Sequence, residues 1–195
     1  MEEGKRIMIR TTLDNAQYHR TLKPLYAFSQ STPKAVYLDP AFYTNGVPAV
    51  PVSAGMAMAK TIGDLVTVVG DGTTGPKTPY GLAAFIEGVT GVESEISNQG
   101  GVNACAVWVL SPDAEFQVSA PAMDSTATWV DPGTGFAPLV YAYITTAKRG
   151  QLCPVGAGTP GTTITDKPVG RLLKIVSSTQ IVIGGLDPNW ASDVA

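Results

Sequence analysis

Residues Gly100 to Pro121 run Gly-Gly-Val-Asn-Ala-Cys-Ala-Val-Trp-Val-Leu-Ser-Pro-Asp-Ala-Glu-Phe-Gln-Val-Ser-Ala-Pro. Val102 to Leu110 is almost wholly apolar, Ser111 to Ala114 carries turn chemistry, and Glu115 to Ala120 alternates polar with apolar. The pattern predicts a β-hairpin. Its first strand sets Ala104, Ala106, Trp108 and Leu110 on one face and Cys105, Val107 and Val109 on the other, so both faces need cover. The returning strand places Phe116, Val118 and Ala120 inward and Glu115, Gln117 and Ser119 outward, as in a half-buried antiparallel partner.

Outward from this pair, the chain reads as short strands and turns. Lys23-Pro24-Leu25 to Phe28 predicts a first edge strand, because proline is tolerated only at an edge. Thr32-Pro33, Asp39-Pro40 and Asn45-Gly46 mark Ser29 to Asn45 as turns. Leu65 to Val69, Tyr80 to Val89 with a bend, and Leu139 to Ile144 are further strands, the last with Tyr141 and Tyr143 on one face. Val169 to Val176 and Gln180 to Ile183 make a terminal hairpin around Ser177-Ser178-Thr179. Met123 to Ala137 and Lys148 to Lys167 are long connections, the kind that carry contacts in compact β domains. The expected fold is mainly β, a small barrel or sandwich-like domain with an extended N-terminal arm and long loops. Residues 1–46 are the arm and lead-in segment, and 47–195 the β-rich domain.

With 195 residues the chain can bury a substantial core. Only 15% of its residues are charged, against roughly 25% in an average domain. Such a weakly charged surface points to subunit contact. A net charge of -3 argues against a nucleic-acid partner. Met1 to Lys23 is nevertheless basic, with Lys5, Arg6, Arg10, Arg20 and Lys23 against Glu2, Glu3 and Asp14. Two cysteines, Cys105 and Cys153, make no disulfide framework. No apolar run has the length of a membrane span, so the expectation is a cytosolic product with no membrane partner.

Candidate chemistry is sparse. Gly156-Ala157-Gly158-Thr159-Pro160-Gly161 has the spacing of a dinucleotide fingerprint but lacks the strand before it and the helix after it. In Gly70 to Thr78, Pro76 displaces Lys77 from its place in a phosphate-binding loop. His19 is the single histidine, and Glu93 and Glu95 read more simply as a solvated loop than as paired carboxylates. No catalytic, metal or cofactor residue is expected. Trp108 reads as core, whereas Trp129 and Trp190 lie beside turn residues and are candidate loop or interface anchors.

Gly55-Met56-Ala57-Met58-Ala59-Lys60 with Leu65 to Val68, then Pro79 to Ala84, Val107 to Leu110, Val118 to Ala122, and Arg171 to Val176 with Ile183 to Leu186 together resemble the head decoration, or capsid cement, proteins of tailed bacteriophages. The resemblance spans roughly Val47 to Leu186 and rests on sequence texture. It implies a β-rich, non-enzymatic virion protein on the outer capsid surface, made in the host cytoplasm. Such a protein is expected to form a homotrimer, bind the major capsid protein and bridge capsomers against internal pressure. It also implies an arm that touches the capsid, which here nominates Arg10, Tyr18, His19 and Arg20. The alternative is a head-fibre or tail-type carbohydrate or cell-surface binding module, with Trp129, Tyr141 and Tyr143 as stacking surfaces.

Overall fold

The computed structural model describes residues 22–26, 34–39, 41, 43–44, 47–48, 53–63, 65–70, 75–84, 104–109, 112, 114–133 and 137–186. In chain order the described strands are β1 (Leu22–Tyr26), β2 (Lys34–Leu38), β3 (Tyr43–Thr44), β4 (Val47–Pro48), β5 (Ala57–Lys60), β6 (Leu65–Val68), β7 (Gly81–Ala83), β8 (Ala104–Trp108), β9 (Glu115–Ser119), β10 (Leu139–Ala142), β11 (Leu152–Pro154), β12 (Gly170–Ser177) and β13 (Gln180–Gly184). The fold is mainly β. One sheet has the order β1-β9-β13-β12-β10-β11, all antiparallel. A second closes on itself as a five-stranded barrel, β2-β6-β5-β7-β8, in which β2 and β6 are parallel. β3 and β4 form a separate two-stranded ribbon.

Two apolar layers follow from the alternation along these strands. Val36, Leu38, Met58, Val66, Val68, Ala83 and Val107 fill the barrel. The opposite parity on the same strands, Ala57, Ala59 and Leu82, meets the six-stranded sheet through Leu22, Phe116, Val118, Val140, Leu172, Ile181 and Ile183. Both faces of β8 are therefore used, with Val107 inside the barrel and Trp108 between the layers. The Trp108 and Phe116 rings meet edge to face, their centroids 5.4 Å apart.

The two strands of the expected central hairpin are present, and β9 shows the alternating burial anticipated for it. They do not pair with each other. β8 pairs with β2 and β7 in the barrel, and β9 with β1 and β13 in the sheet. The physical reason is the two-sided apolarity of β8, which a half-exposed hairpin partner leaves uncovered and a position between two cores satisfies.

Other differences come from overweighted proline. Lys34 to Leu38, read as turns between Pro33 and Pro40, is a strand whose Val36 and Leu38 point into the barrel. Leu152-Cys153-Pro154, inside an expected connection, is an edge strand with its proline at the end. β1 and β2 precede residue 47, yet each pairs with a strand after it. The edge position of β1 and the terminal hairpin agree with the sequence reading.

The two sheets are stitched at one end by the turn between β10 and β11. Gly150 takes φ +78°, donates its N–H to Tyr143 O at 2.8 Å and accepts from Ala57 N at 2.8 Å. A Cβ there would lie 2.6 Å from Val68 Cγ1, and one on Gly70, at φ +72°, would overlap Ile144.

Truncating a fully buried ring in the layer between barrel and sheet should be costly: Phe116→Ala is expected to lower unfolding free energy by about 3–5 kcal/mol. Gln117→Ala, half-buried on the outer face of the same strand, should change it by about 0.5 kcal/mol or less. Urea denaturation of both variants checks the difference.

Candidate functional site

The most elaborate polar arrangement among the described residues lies where residues 122–124 run beside the edge strand β11. Leu152 N–H donates to Ala122 O at 2.9 Å and Asp124 N–H to Leu152 O at 2.9 Å, with Met123 and Leu152 bridged in parallel. This short pairing covers part of an edge that would otherwise offer free backbone groups.

Asp124, only 4% exposed, is the centre. Its Oδ1 accepts from Thr126 N at 2.9 Å and Thr126 Oγ1 at 2.6 Å, an Asx turn that reverses the loop. Its Oδ2 accepts from Lys148 Nζ at 2.6 Å and Tyr143 Oη at 3.0 Å. Its backbone carbonyl accepts the Trp129 indole N–H at 2.8 Å. Lys148 Nζ also lies 5.2 Å from the Tyr143 ring centroid.

Burial alone would raise the pKa of Asp124, but the hydrogen bonds from Lys148, Thr126 and Tyr143 outweigh it and hold the carboxyl well below the usual range. Burial, reinforced by Asp124, pushes the Tyr143 phenol up. Burial likewise pushes the Cys153 thiol up to about 12, with the Asp124 charge adding to it. A carboxylate ionised at neutral pH and holding four donors is a poor proton acceptor, and both neighbouring acids are held protonated there. The arrangement is a fastener that ties the loop after β9 to β10 and β11.

A second seam joins the barrel to the sheet. Lys77 Nζ donates to Gly161 O at 2.6 Å, and Thr78 Oγ1 to Asp166 Oδ2 at 2.8 Å. The lysine of the near-miss phosphate loop thus holds the turn containing Gly156 to Gly161. A strand, β11, does precede that glycine run, contrary to the sequence reading, but the chain continues into turns rather than a helix. Among the described residues no three His, Cys, Asp or Glu side chains are grouped to hold a metal ion.

Of the nominated contact residues, Arg10, Tyr18, His19, Arg20 and Trp190 lie outside the described residues, as do Glu93 and Glu95. Trp129 is half-buried, packed on the core between the sheets, and bonded to Asp124, so it anchors its own loop to the body. Asp124 was not singled out from sequence. Its Asp-Ser-Thr context signals an Asx turn, but Lys148 is 24 residues away and no local pattern announces it.

Replacing Asp124 by Asn should cost about 1–3 kcal/mol at neutral pH, since charge-assisted bonds are lost from a buried position. The folded carboxyl titrates below its unfolded value, so its contribution is complete above about pH 4 and fades as pH falls further. Denaturation midpoints should therefore separate wild type from the variant most widely at pH 7, and the separation should narrow progressively below about pH 4. Cys153, fully buried with a raised pKa, should resist alkylation at pH 8 in the folded protein and react in urea. Peptide mapping by mass spectrometry reads that site directly.

No curated protein and no solved structure shows significant similarity to the chain. A family model described as phage cement protein matches residues 8–195. That match takes in both sheets, the fastener and most of the basic segment Met1 to Lys23, and on its extent the chain belongs to the phage cement protein family.

Proposed function

We propose that this member of a capsid-stabilising family binds the outer surface of the phage head as a homotrimer and bridges neighbouring capsomers through the major capsid protein. The observation that carries the reading is the family match over residues 8–195. Three features support it. The charge-poor composition suits a protein that spends its working life in contact with others. The two stitched sheets make a rigid body that loses little entropy on docking. The basic segment Met1 to Lys23 precedes a remainder of net charge -5, so an arm carrying Arg10, Tyr18, His19 and Arg20 has a chemistry distinct from the body. Weak individual contacts suffice, because three subunits held together engage adjacent capsomers at high effective concentration.

The glycan-binding alternative draws less support. Trp129 and Tyr143 spend their polar groups on Asp124, which restricts both rings as stacking platforms.

Deleting residues 1–20 tests the arm. The truncated protein should fold with an unchanged melting temperature and occupy purified heads far less than the full chain at equal concentration. Equal occupancy in a gel-shift or pelleting assay would remove the arm from the contact.

A further inference from the structure

Where the barrel meets the six-stranded sheet, Pro79, Tyr80, Gly81, Pro168, Val169 and Leu186 line an open recess of about 160 Å³. Its walls are fixed from both sides. Tyr80 N–H donates to Met58 O at 2.7 Å, Val169 N–H to Val140 O at 2.7 Å, and Thr78 Oγ1 ties the two walls together through Asp166 Oδ2 at 2.8 Å. The lining is mixed: carbon of two prolines, Val169 and Leu186 lies beside backbone polar groups and the Tyr80 phenol. It holds no charged side chain, but lysines stand next to it. Lys77 and Lys167 are exposed and closely precede Pro79 and Pro168, and Lys60 Nζ lies 5.0 Å from the Tyr80 ring centroid.

Leu186, the last of the described residues, is itself part of this lining, so the chain leaves the body at the recess wall. Its exit is held by Gly185 N–H, which donates to Ala114 O at 2.9 Å. The sequence then runs Asp187-Pro188-Asn189-Trp190-Ala191-Ser192-Asp193-Val194-Ala195. From Leu186 to Trp190 an extended chain spans at most roughly 13–14 Å, and Pro188 lowers the entropy lost when that tether is ordered. An indole is a flat apolar body with one N–H donor, which suits a site where proline and aliphatic carbon adjoin backbone acceptors. An apolar cavity of roughly 150 Å³ accepts benzene, so the recess has room for one ring of an indole. Charge agrees, because the segment carries Asp187 and Asp193 and no basic residue, opposite in sign to the lysines beside the recess.

We propose that segment 187–195 folds back on its own chain and seats Trp190 among Pro79, Tyr80 and Pro168, with its aspartates toward Lys77 and Lys167. The occupant is this segment rather than a separate partner, because it is tethered at the recess wall and brings both the aromatic group and the opposite charge. Seated there, it straps the barrel to the sheet beside the Thr78–Asp166 bond. The inference does not depend on capsid binding, and every readout below is taken on the isolated protein.

The test follows chymotryptic cleavage after Trp190 in the full chain, by mass spectrometric loss of residues 191–195. Cleavage should be about 10-fold slower than in a free peptide of residues 185–195, since only the undocked population is cut. Lys167→Glu, at an exposed position, should speed it about 2- to 5-fold, and Tyr80→Ala should bring it close to the peptide rate, both with the wild-type far-ultraviolet spectrum. Ala191→Cys combined with Lys167→Cys should form a disulfide within one chain, mapped by peptide mass spectrometry, and adding Trp190→Ala should lower its yield. Cleavage as fast as in the peptide would overturn the docking. Slow cleavage that neither Lys167→Glu nor Tyr80→Ala changes would place the segment elsewhere and overturn the recess as its site. A disulfide found only between chains would overturn the fold-back in favour of exchange between copies.

Discussion

The apolar layer between barrel and sheet is the constraint on which the rest of the molecule depends. A closed barrel of five short strands has too little interior to stabilise a chain of this length, and among the described residues seven buried side chains fill it. The larger core lies outside, where Phe116, Leu172, Ile181 and Ile183 cover the outward faces of β5, β7 and β8. Each strand of the barrel that meets the sheet must therefore be apolar on both faces. Trp108 against Phe116 marks the crossing, and the chain passes from one layer to the other between those two residues.

Once the layers are clamped, the connections need their own restraints, and these are polar. Asp124 gathers Thr126, Tyr143, Lys148 and Trp129, so a loop of Ser, Thr and Ala residues becomes part of the body. Lys77 and Thr78 do the same for the turn around Gly161 and Asp166. Titratable groups are used here to hold backbone in place, which suits a family whose work is mechanical. The Asp124 carboxylate is acceptable in its buried position because every lone-pair direction meets a donor.

Alternation was legible in sequence where one face meets a core and the other is more open to water, as in β9, β10 and β12. Pairing was not. Nothing local in Val102 to Ala120 distinguishes a hairpin from two strands that part into different sheets, because the deciding contact is with β2 and β7, far away in sequence. β2 and β11 were hidden by prolines that bound or end them, where an edge or terminal position makes proline harmless. The bond from the Trp129 indole to the Asp124 carbonyl was not legible, since that carbonyl is presented only once 122–124 lies along β11.

Fold, fastened loops and membership of the phage cement protein family agree with a structural, capsid-stabilising role. The most direct measurement is calorimetry of purified expanded heads lacking this protein, before and after adding it in increasing ratio. A disruption temperature that rises and then saturates at a fixed number of copies per head is the predicted result. A disruption temperature unchanged at saturating protein would contradict the account.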